Sequence, residues 1–294
     1  MIELKQMRIF LAVAEELHFG RAAERLHIAQ PALSAQVKAM EERLGANLFE
    51  RTTRRVSLTR TGEAFLPEAR ATIAQAEEAF RIARRTAGEG DELLKIGGID
   101  SATAGLLPSL IRSFRRHSPG TEVRVEEMLS APALHALEHR QLDVAFCRLP
   151  RRAELFQSRH VLREELVAIL PHDHRLAERD KLSPMELCEE PLVLPSRAHR
   201  PILTTLIEEW FTRSAREPRV RQFANERHMI VAMVAAGLGV SITPAWVSEF
   251  GRSDVVFRQL EGAPVVDTHA HWRRDDGFGA LAAFTERLPT VQLG

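Results

Sequence analysis

The chain has 294 residues, 45% of them hydrophobic, and can therefore bury more than one core, because single domains usually stop growing near ~150 to 250 residues. Forty basic and forty acidic residues give a formal net charge of zero, which excludes a uniformly basic coat and confines any DNA-binding surface to a local patch. Only two cysteines, Cys147 and Cys188, are present, too few for a disulfide framework or a zinc cluster, which fits a reducing cytoplasm.

Two apolar stretches raise the question of export or membrane insertion. The N-terminal one contains Lys5 and Arg8, which the hydrophobic segment of a secretory signal would not. The other, residues 229–248, has no formal charge, but Gly237 and Pro244 interrupt it and divide it into a helix and a strand. We therefore expect a cytoplasmic protein with no membrane segment.

The first part of the chain predicts three short helices. Apolar residues recur at helical spacing over 4–17, and small inner residues in a second helix, 21–27, would let a neighbouring helix approach closely. A third helix, 31–44, begins with a proline at its first position and ends before Gly45, a residue that favours a left-handed cap. One face of this helix offers short or hydrogen-bonding side chains suited to a major groove, namely Gln30, Ala32, Ser34, Ala35 and Lys38.

Residues 48–58 predict a small β-hairpin with arginines at its tip. Strands are expected at 48–51 and 55–58, and the guanidinium groups suit phosphates or a narrow minor groove. Taken separately, a generic three-helix bundle and a solvated arginine loop explain these segments equally well. The arginines concerned are Arg51, Arg54, Arg55 and Arg60.

In their order and spacing these segments resemble the LysR-type transcriptional regulators. The likeness rests on residues 10–15, 19–27, 30–34, 44–51 and 58–62. It implies a winged helix-turn-helix domain over residues 1–59 that binds double-stranded promoter DNA, with RNA polymerase as a further partner. It also implies a recognition helix that carries Gln30, Pro31, Ala32, Ser34 and Lys38 and a wing that carries Arg51, Arg54 and Arg55.

A long linker helix is predicted over residues 60–88, with Thr59 as its N-cap. Small and apolar residues recur along it at alternating steps of three and four: Gly62, Leu66, Ala69, Ile73, Ala76, Phe80, Ala83 and Ala87. This stripe predicts a homodimer formed with the same helix of a second subunit, and packing on the chain's own second domain is the alternative. Pro67 lies inside the helix, so we expect a bend or a fray at 63–67.

From residue 92 onward, short strand-like runs alternate with helical ones, which is typical of βαβ units on a mostly parallel sheet. A capping box from Ser183 to Glu186 predicts the start of a short helix. The pattern repeats in two cycles, so we expect two lobes and an overall α/β fold. Their predicted bounds are 92–163 with 269–294 for lobe I and 164–268 for lobe II.

Polar residues follow the predicted strands, where a cleft between the lobes would open. Hydroxyl groups, backbone N–H groups and a guanidinium together form a binding site for a carboxylate, although serines at these positions also serve simply as helix caps. His228, at the start of a later helix, either lines the cleft or caps that helix. The other candidate effector-binding residues are Ser101, Ser130, Arg148, Ser196 and Arg197.

The resemblance to LysR-type regulators continues at residues 105–108, 141–146 and 234–244, and so spans nearly the whole chain. It implies a periplasmic-binding-protein-like effector domain and a homotetramer built from two dimers. Residues 126–130 and 146–149 are similar to the branch that senses aromatic-catabolism intermediates such as benzoate or muconate, although Cys147 departs from the small residue usual there. We expect a small carboxylate effector, no cofactor and no metal.

Two other classes of protein were weighed. Residues 267–271 imitate the metal-binding His-x-His of amidohydrolases, but only 23 residues follow His271, too few for the further ligands that a (β/α)₈ barrel supplies. No Ser/His/Asp or Cys/His set stands out either, so we do not expect an enzyme. A solute-binding protein would share the C-terminal architecture without binding DNA.

Overall fold

The computed structural model describes residues 2–51, 56–86, 93–148, 154–213, 217–277 and 279–291. The chain forms two compact units, one of residues 1–92 with 138–141 and one of residues 93–137 with 142–294. Among the described residues, every helix is too short or too polar to cross a lipid bilayer.

The first unit begins with three helices, as the sequence predicts: α1 (Leu4–Glu16), α2 (Phe19–Arg25) and α3 (Gln30–Leu44). They enclose a core that includes the fully buried side chains of Phe10, Leu33 and Val37. Helix α2 starts two residues before its predicted start, because the Nδ1 atom of His18 accepts a hydrogen bond from the Arg21 N–H at 3.2 Å and caps the helix there.

The predicted hairpin is present as β1 (Phe49–Arg51) and β2 (Val56–Leu58), which pair antiparallel. Its turn lies outside the described residues. The buried carboxylate of Glu41 in α3 joins helix and hairpin, since its Oε1 accepts from the backbone N–H groups of Leu48 at 2.9 Å and Phe49 at 3.2 Å. The hairpin is thereby held beside α3.

Helix α4 (Arg60–Thr86) starts at the predicted cap, where Thr59 Oγ1 accepts from the Gly62 N–H at 3.0 Å. It continues without interruption through Pro67, so of the two predicted alternatives the fray does not occur, and the bend stays a prediction. The reason lies in its neighbours. Phe65 and Leu66 pack on the core of the first unit, and this packing stabilises a turn that lacks one backbone hydrogen bond.

The small and apolar stripe of α4 is divided in two. Ala69 is buried in the core of the first unit, and a Cβ at Gly62 would collide with the backbone carbonyl oxygen of Leu48. Further along the stripe, Phe80 has an exposed fraction of 75%. The expectation that the whole stripe is free for a partner is therefore wrong for its first half, which the chain covers itself.

The second unit alternates strands and helices. In chain order its elements are β3 (Leu93–Gly98), a π-helical turn (Ser101–Leu106), α5 (Leu107–His117), β4 (Glu122–Glu127), α6 (Ser130–Glu138), β5 (Val144–Cys147), β6 (Phe156–Pro171), β7 (Lys181–Leu182), α7 (Pro184–Cys188), β8 (Leu192–Leu194), α8 (Pro201–Thr212), β9 (Val220–Phe223), α9 (Arg227–Ala235), β10 (Ser241–Pro244), a 3₁₀ helix (Ala245–Phe250), β11 (Val255–Leu260), β12 (Val265–Arg273) and α10 (Gly279–Glu286).

Lobe I contains the parallel strands β4, β3 and β5 in that order. Leu94, Phe114 and Phe146 lie in its core. Helix α10 returns to this core, where the ring of Phe284 meets that of Phe114 edge-on at a centroid distance of 5.5 Å.

Lobe II has a separate core around Trp210 and Ile242 and a different sheet. Strands β10 and β11 run antiparallel to β6, whereas the pairs β8–β9 and β11–β7 are parallel. The prediction of a mostly parallel sheet is thus right for lobe I and wrong for the main sheet of lobe II. The predicted capping box of α7 is present, with Glu186 Oε2 accepting from the Ser183 N–H at 2.9 Å.

Two long strands connect the lobes. Strands β6 and β12 pair antiparallel along the length of β12, so one continuous sheet passes from lobe I into lobe II. Their register shifts between Thr268 and His269, where the second predicted lobe boundary falls. The boundaries themselves stay a prediction.

Candidate DNA-binding helix and ligand cleft

Helix α3 leaves one face open to solvent. Leu33, Val37 and Met40 are fully buried on its other side. The helix begins at Gln30, so Pro31 occupies its second position rather than the predicted first, still within the turn where a missing N–H has no cost. Gly45 caps the end with a φ of +69°. Of the predicted base-reading residues, Gln30, Pro31, Ala32 and Lys38 are exposed and Ser34 is half-buried.

The polar groups of this face are only loosely held. Lys38 Nζ lies 3.7 Å from Glu42 Oε1, an exposed ion pair of the kind that contributes little. The Lys38 ammonium can therefore turn toward a phosphate at small cost. Arg51 lies in β1, but its side chain is outside what the structure describes, as are Arg54 and Arg55 entirely.

A cavity of 240 Å³, the cleft cavity, lies where β3, β4 and β5 of lobe I end and α8 of lobe II begins. Two arginines, Arg148 and Arg200, and the imidazole of His199 line it, and no carboxylate is among the lining residues that the structure describes. The cavity is lined by Ile99, Leu129, Ser130, Ala131, Pro132, Arg148, Ala198, His199, Arg200, Pro201, Ile202 and Leu203. An apolar space with cationic groups only is suited to an organic anion.

Beside this cavity, Asp100 of lobe I binds two arginines of lobe II. Its Oδ2 atom lies 2.9 Å from Arg200 Nη1 and 2.9 Å from Arg227 Nε. All three residues are buried, with exposed fractions of 4%, 8% and 8%. This shared carboxylate is an ionic bridge between the lobes.

Arg148 is held by the two predicted serines. Its Nη2 donates to the Oγ of Ser101 at 2.9 Å, and its backbone N–H donates to the Oγ of Ser130 at 3.1 Å. Glu164 Oε2 is 3.7 Å from Arg148 Nη2, and the Arg148 Nε atom is buried with no acceptor in the part of the chain that the structure describes. Ser101 is fully buried and does not line the cavity, so its contact orients the guanidinium.

The cluster favours a further negative charge. Three guanidinium groups, of Arg148, Arg200 and Arg227, face two carboxylates, of Asp100 and Glu164, which leaves a net charge of +1 when all are ionised. Burial raises the pKa of Glu164, and attraction to Arg148 only partly offsets it. Burial would also raise the pKa of Asp100, but the attraction of Arg227 and Arg200 outweighs it and lowers that pKa.

Cys147 does not reach the cleft cavity. Its side chain is fully buried, and its Sγ donates to the carbonyl oxygen of Ser130 at 3.5 Å. Burial raises the pKa of the thiol to about 12. Cys147 therefore packs as a small hydrophobic residue and is a poor nucleophile.

The other predicted effector residues lie elsewhere. The Oγ of Ser196 donates to Asn225 Oδ1 at 3.0 Å, and the exposed guanidinium of Arg197 lies 3.4 Å from Glu208 on α8. Neither residue lines the cleft cavity. His228 is exposed and lines a second cavity, which also contains Asp100 and Arg227 in its wall.

Four residues of this cluster were not among the predicted effector-binding residues: Asp100, Glu164, Arg200 and Arg227. One signal for two of them was present, since Arg200 and Arg227 stand at the start of α8 and α9. A cation at a helix N-terminus is opposed by the helix dipole. Two such arginines could have indicated a nearby carboxylate.

The histidines of the amidohydrolase-like motif do not lie on a strand of a parallel (β/α)₈ barrel. His269 and His271 belong to β12, which is antiparallel to both neighbours, β5 and β6. Among the described residues, no group of three or more side chains could hold a metal ion.

Comparison with known proteins places both units in one family. Residues 4–63 match the model for the bacterial regulatory helix-turn-helix protein, lysR family, and residues 87–292 match the LysR substrate binding domain. The first match removes the alternative of a solute-binding protein without a DNA-binding domain.

Relatives match over most of their length. The transcriptional regulator TtuA of Agrobacterium vitis is 38% identical over 88% of this chain and 86% of its own, and the Hca operon transcriptional activator HcaR of Escherichia coli K12 is 33% identical over 99% of both. The crystal structure of CbnR, a LysR family transcriptional regulator, aligns with a TM-score of 0.80 at 26% identity over 97% of this chain and 98% of its own. CbnR has also been solved with its target DNA, and that structure aligns with a TM-score of 0.78. The chain therefore belongs to the LysR-type transcriptional regulators, DNA-binding proteins with an effector-binding domain, and not to an enzyme family.

Proposed function

We propose that this regulator is controlled by a small carboxylate that binds in the cleft cavity. One observation carries the proposal: the buried guanidinium of Arg148 has an Nε atom without an acceptor among the described residues, in a cavity lined by two arginines and by no carboxylate of the described chain. A carboxylate there would accept a charge-assisted hydrogen bond from Arg148. The backbone of the N-terminal turn of α6, at Ser130, adds the positive end of a helix dipole.

The rest of the cavity favours an apolar body on this carboxylate. Ile99, Leu129 and Ile202 line it. Its volume of 240 Å³ exceeds the ~150 Å³ of an engineered cavity that holds benzene. Benzoate and muconate are therefore of suitable size, in agreement with the similarity of residues 126–130 and 146–149 to the aromatic-sensing branch.

The charge cluster supplies a mechanism for the response. A ligand that binds Arg148 and Arg200 would touch both lobes and compete with Glu164 and Asp100 for the same cations. It would thus have a different affinity for the open and closed arrangements of the lobes, which is what a ligand needs to shift that equilibrium.

We further propose that the open face of α3 enters the major groove of promoter DNA. Gln30, Pro31, Ala32 and Ser34 would meet the bases and Lys38 a phosphate, while Arg51, Arg54 and Arg55 of the hairpin would contact the backbone or the minor groove. The solved complex of CbnR with its target DNA supports this arrangement. RNA polymerase would be the downstream partner.

Dimerisation is proposed through the second half of α4. Phe80 is 75% exposed there, and burying such a side chain against a second copy would stabilise a dimer by about 1.5–3 kcal/mol per ring. Two such dimers would form the homotetramer that the family resemblance implies. Sedimentation velocity of a Phe80→Ser variant should show dissociation at concentrations where the wild type stays associated, and the exposed Thr72→Ser substitution on the same helix is the control.

The effector proposal is tested by thermal shift with benzoate and with muconate. At a hundred times the Kd, a ligand stabilises the folded protein by about 2.7 kcal/mol, so the melting temperature of the wild type should rise. An Arg148→Lys variant keeps the charge but loses the planar fork, and its shift should be smaller. An Arg197→Ala variant, which changes an exposed arginine outside the cavity, should respond as the wild type does. Equal shifts in all three proteins would contradict the site.

A further inference from the structure

A second cavity of 320 Å³ lies beside the ionic bridge of Asp100. Arg200 lines both cavities, whereas Arg227 lines only this one of the two. The walls also include Val231, Trp246 and Phe250. The LysR assignment and the proposed effector in the cleft cavity leave this space without a role.

Two side chains in the wall of the second cavity have donors without acceptors. Both Nη atoms of Arg227 and the indole Nε1 of Trp246 are buried and have no hydrogen-bond partner within the described part of the chain. Arg227 itself is only 8% exposed. Buried donors are nearly always paired in folded proteins, and a buried charged donor left alone is especially costly. Three unpaired donor atoms on one cavity indicate an acceptor that arrives from outside.

The start of α9 also favours an anion. Arg227 is the first residue of this helix of nine residues, and the N-cap residue Glu226 makes no side-chain capping hydrogen bond. The positive end of the helix dipole and the guanidinium therefore lie together. A carboxylate placed between them would interact favourably with both.

The apolar part of the wall is suited to an aromatic ring. The rings of Trp246 and Phe250 meet edge-on with centroids 5.5 Å apart, and Val231 and Val247 also line the cavity. An aromatic ligand gains both apolar burial and ring contact from such a surface. The volume of 320 Å³ again exceeds the ~150 Å³ of an engineered cavity that holds benzene.

The acidic residues of the wall limit the charge of the ligand. Asp100 already binds Arg200 and Arg227, while Glu127 and Glu226 are exposed. His228 and Arg252 are the remaining cationic or titratable groups that line the cavity. A ligand with one carboxylate can approach Arg227, but a second negative charge would be repelled by the two glutamates.

We infer that the second cavity is a separate binding site for an aromatic monocarboxylate. Its carboxylate accepts hydrogen bonds from Arg227 and Trp246, and its ring lies against Trp246 and Phe250. Since Arg227 also holds Asp100, occupation of this site draws one arginine from the bridge between the lobes. The second site thereby couples to the opening of the cleft from outside the cleft cavity.

Calorimetric titration with benzoate into the full-length protein tests the inference, with acetate as the ringless control. A Val231→Phe variant fills the second cavity, and an Ile202→Phe variant fills the cleft cavity in the same manner. We expect Val231→Phe to bind one benzoate per chain fewer than the wild type, and we expect Ile202→Phe to retain benzoate binding at the second cavity. Acetate should give no binding signal at the second cavity.

A milder variant keeps the test decisive if Val231→Phe does not fold. Trp246→Phe preserves a ring but removes the indole N–H, so benzoate should bind the second site about tenfold more weakly. Unchanged stoichiometry in Val231→Phe, or unchanged affinity in Trp246→Phe, would overturn the inference. If benzoate binding is lost only in Ile202→Phe, the inference is also overturned, whereas the proposed site in the cleft cavity remains supported.

Discussion

The candidate DNA-binding helix α3 and the candidate ligand cleft are built in opposite ways. The candidate residues of α3 lie within a single short helix, are mostly exposed and make few contacts with one another. The charges beside the cleft come from residues as far apart as Asp100 and Arg227, and they are buried and already paired. The helix can therefore bind by adding contacts, whereas a ligand in the cleft has to exchange one set of ionic partners for another. Substitutions in the two regions should have different consequences.

The largest effect is expected from Asp100→Asn. It removes the shared partner of Arg200 and Arg227 and leaves two buried cations uncompensated. Breaking a buried ion pair in this way costs about 3–5 kcal/mol, to be measured as the free energy of unfolding of the second unit in urea. Affinity for DNA measured below the unfolding transition should change much less.

The matched control for that change is Glu208→Gln. Glu208 pairs with the guanidinium of Arg197 at 3.4 Å, but both side chains are substantially exposed. Loss of such a pair costs about 0–1 kcal/mol. Equal destabilisation by Asp100→Asn and Glu208→Gln would show that the buried bridge is not an important part of the fold.

The second prediction concerns pH. The arginines lower the pKa of Asp100 below its ordinary value of 3.8, so the folded state binds the proton less readily than the unfolded state does. The stability that this carboxylate contributes is therefore complete above about pH 5 and is lost as the pH falls through and below 3.8. Unfolding curves of the wild type and Asp100→Asn, measured from pH 7 downward, should converge in acid. A constant difference between them would contradict the lowered pKa.

A smaller but more selective effect is expected on the DNA-binding side. An Ala32→Glu substitution places a negative charge on the exposed face of α3, in its first turn, where an acidic residue suits the helix dipole. DNA affinity should fall by about 10- to 100-fold, the range of a lost base contact, while the melting temperature stays unchanged. Fluorescence anisotropy with promoter DNA measures this change, and Gln75→Glu on the exposed side of α4 is the control. A matching loss in the control would assign the effect to general charge.

The smallest effect is expected from Lys38→Ala. Lys38 is exposed and weakly paired with Glu42, so its removal should leave the free energy of unfolding almost unchanged. If its ammonium contacts one phosphate, the slope of log K against log salt should become about one unit less steep. An unaltered slope would place Lys38 away from the DNA backbone.

Prediction succeeded best where neighbours in sequence are also neighbours in space. The three helices and the hairpin follow from local periodicity and caps. The start of α3 differs by one residue from its prediction, and the start of α2, at Phe19, differs by two because of the histidine cap. In lobe II the alternation of strand-like and helical runs does not mark β7, β9 and β11, and β10 and β11 run antiparallel to β6 where a mostly parallel sheet was predicted. β9 is exposed along most of its length, which removes the apolar pattern that would mark it.

The candidate cleft was predicted in part for the same reason. Arg148 and Ser130 follow directly on strands, so the rule that ligands bind at strand ends finds them, and both line the cleft cavity. Arg197 was chosen by that rule as well, yet its side chain turns to Glu208 on the surface, and Arg200, three residues later, is the one that enters the cleft. Side-chain direction in a loop depends on packing that no local pattern records.

The amino-acid sequence alone thus determined the three N-terminal helices, the hairpin and the family, because each depends on residues close together in the chain. Tertiary structure alone decided which half of the α4 stripe is free, how lobe II orders its strands, and which charges meet at Asp100. Those outcomes depend on distances between segments that are separated by up to 127 residues, as Asp100 and Arg227 are, and such distances exist only once the lobes have packed.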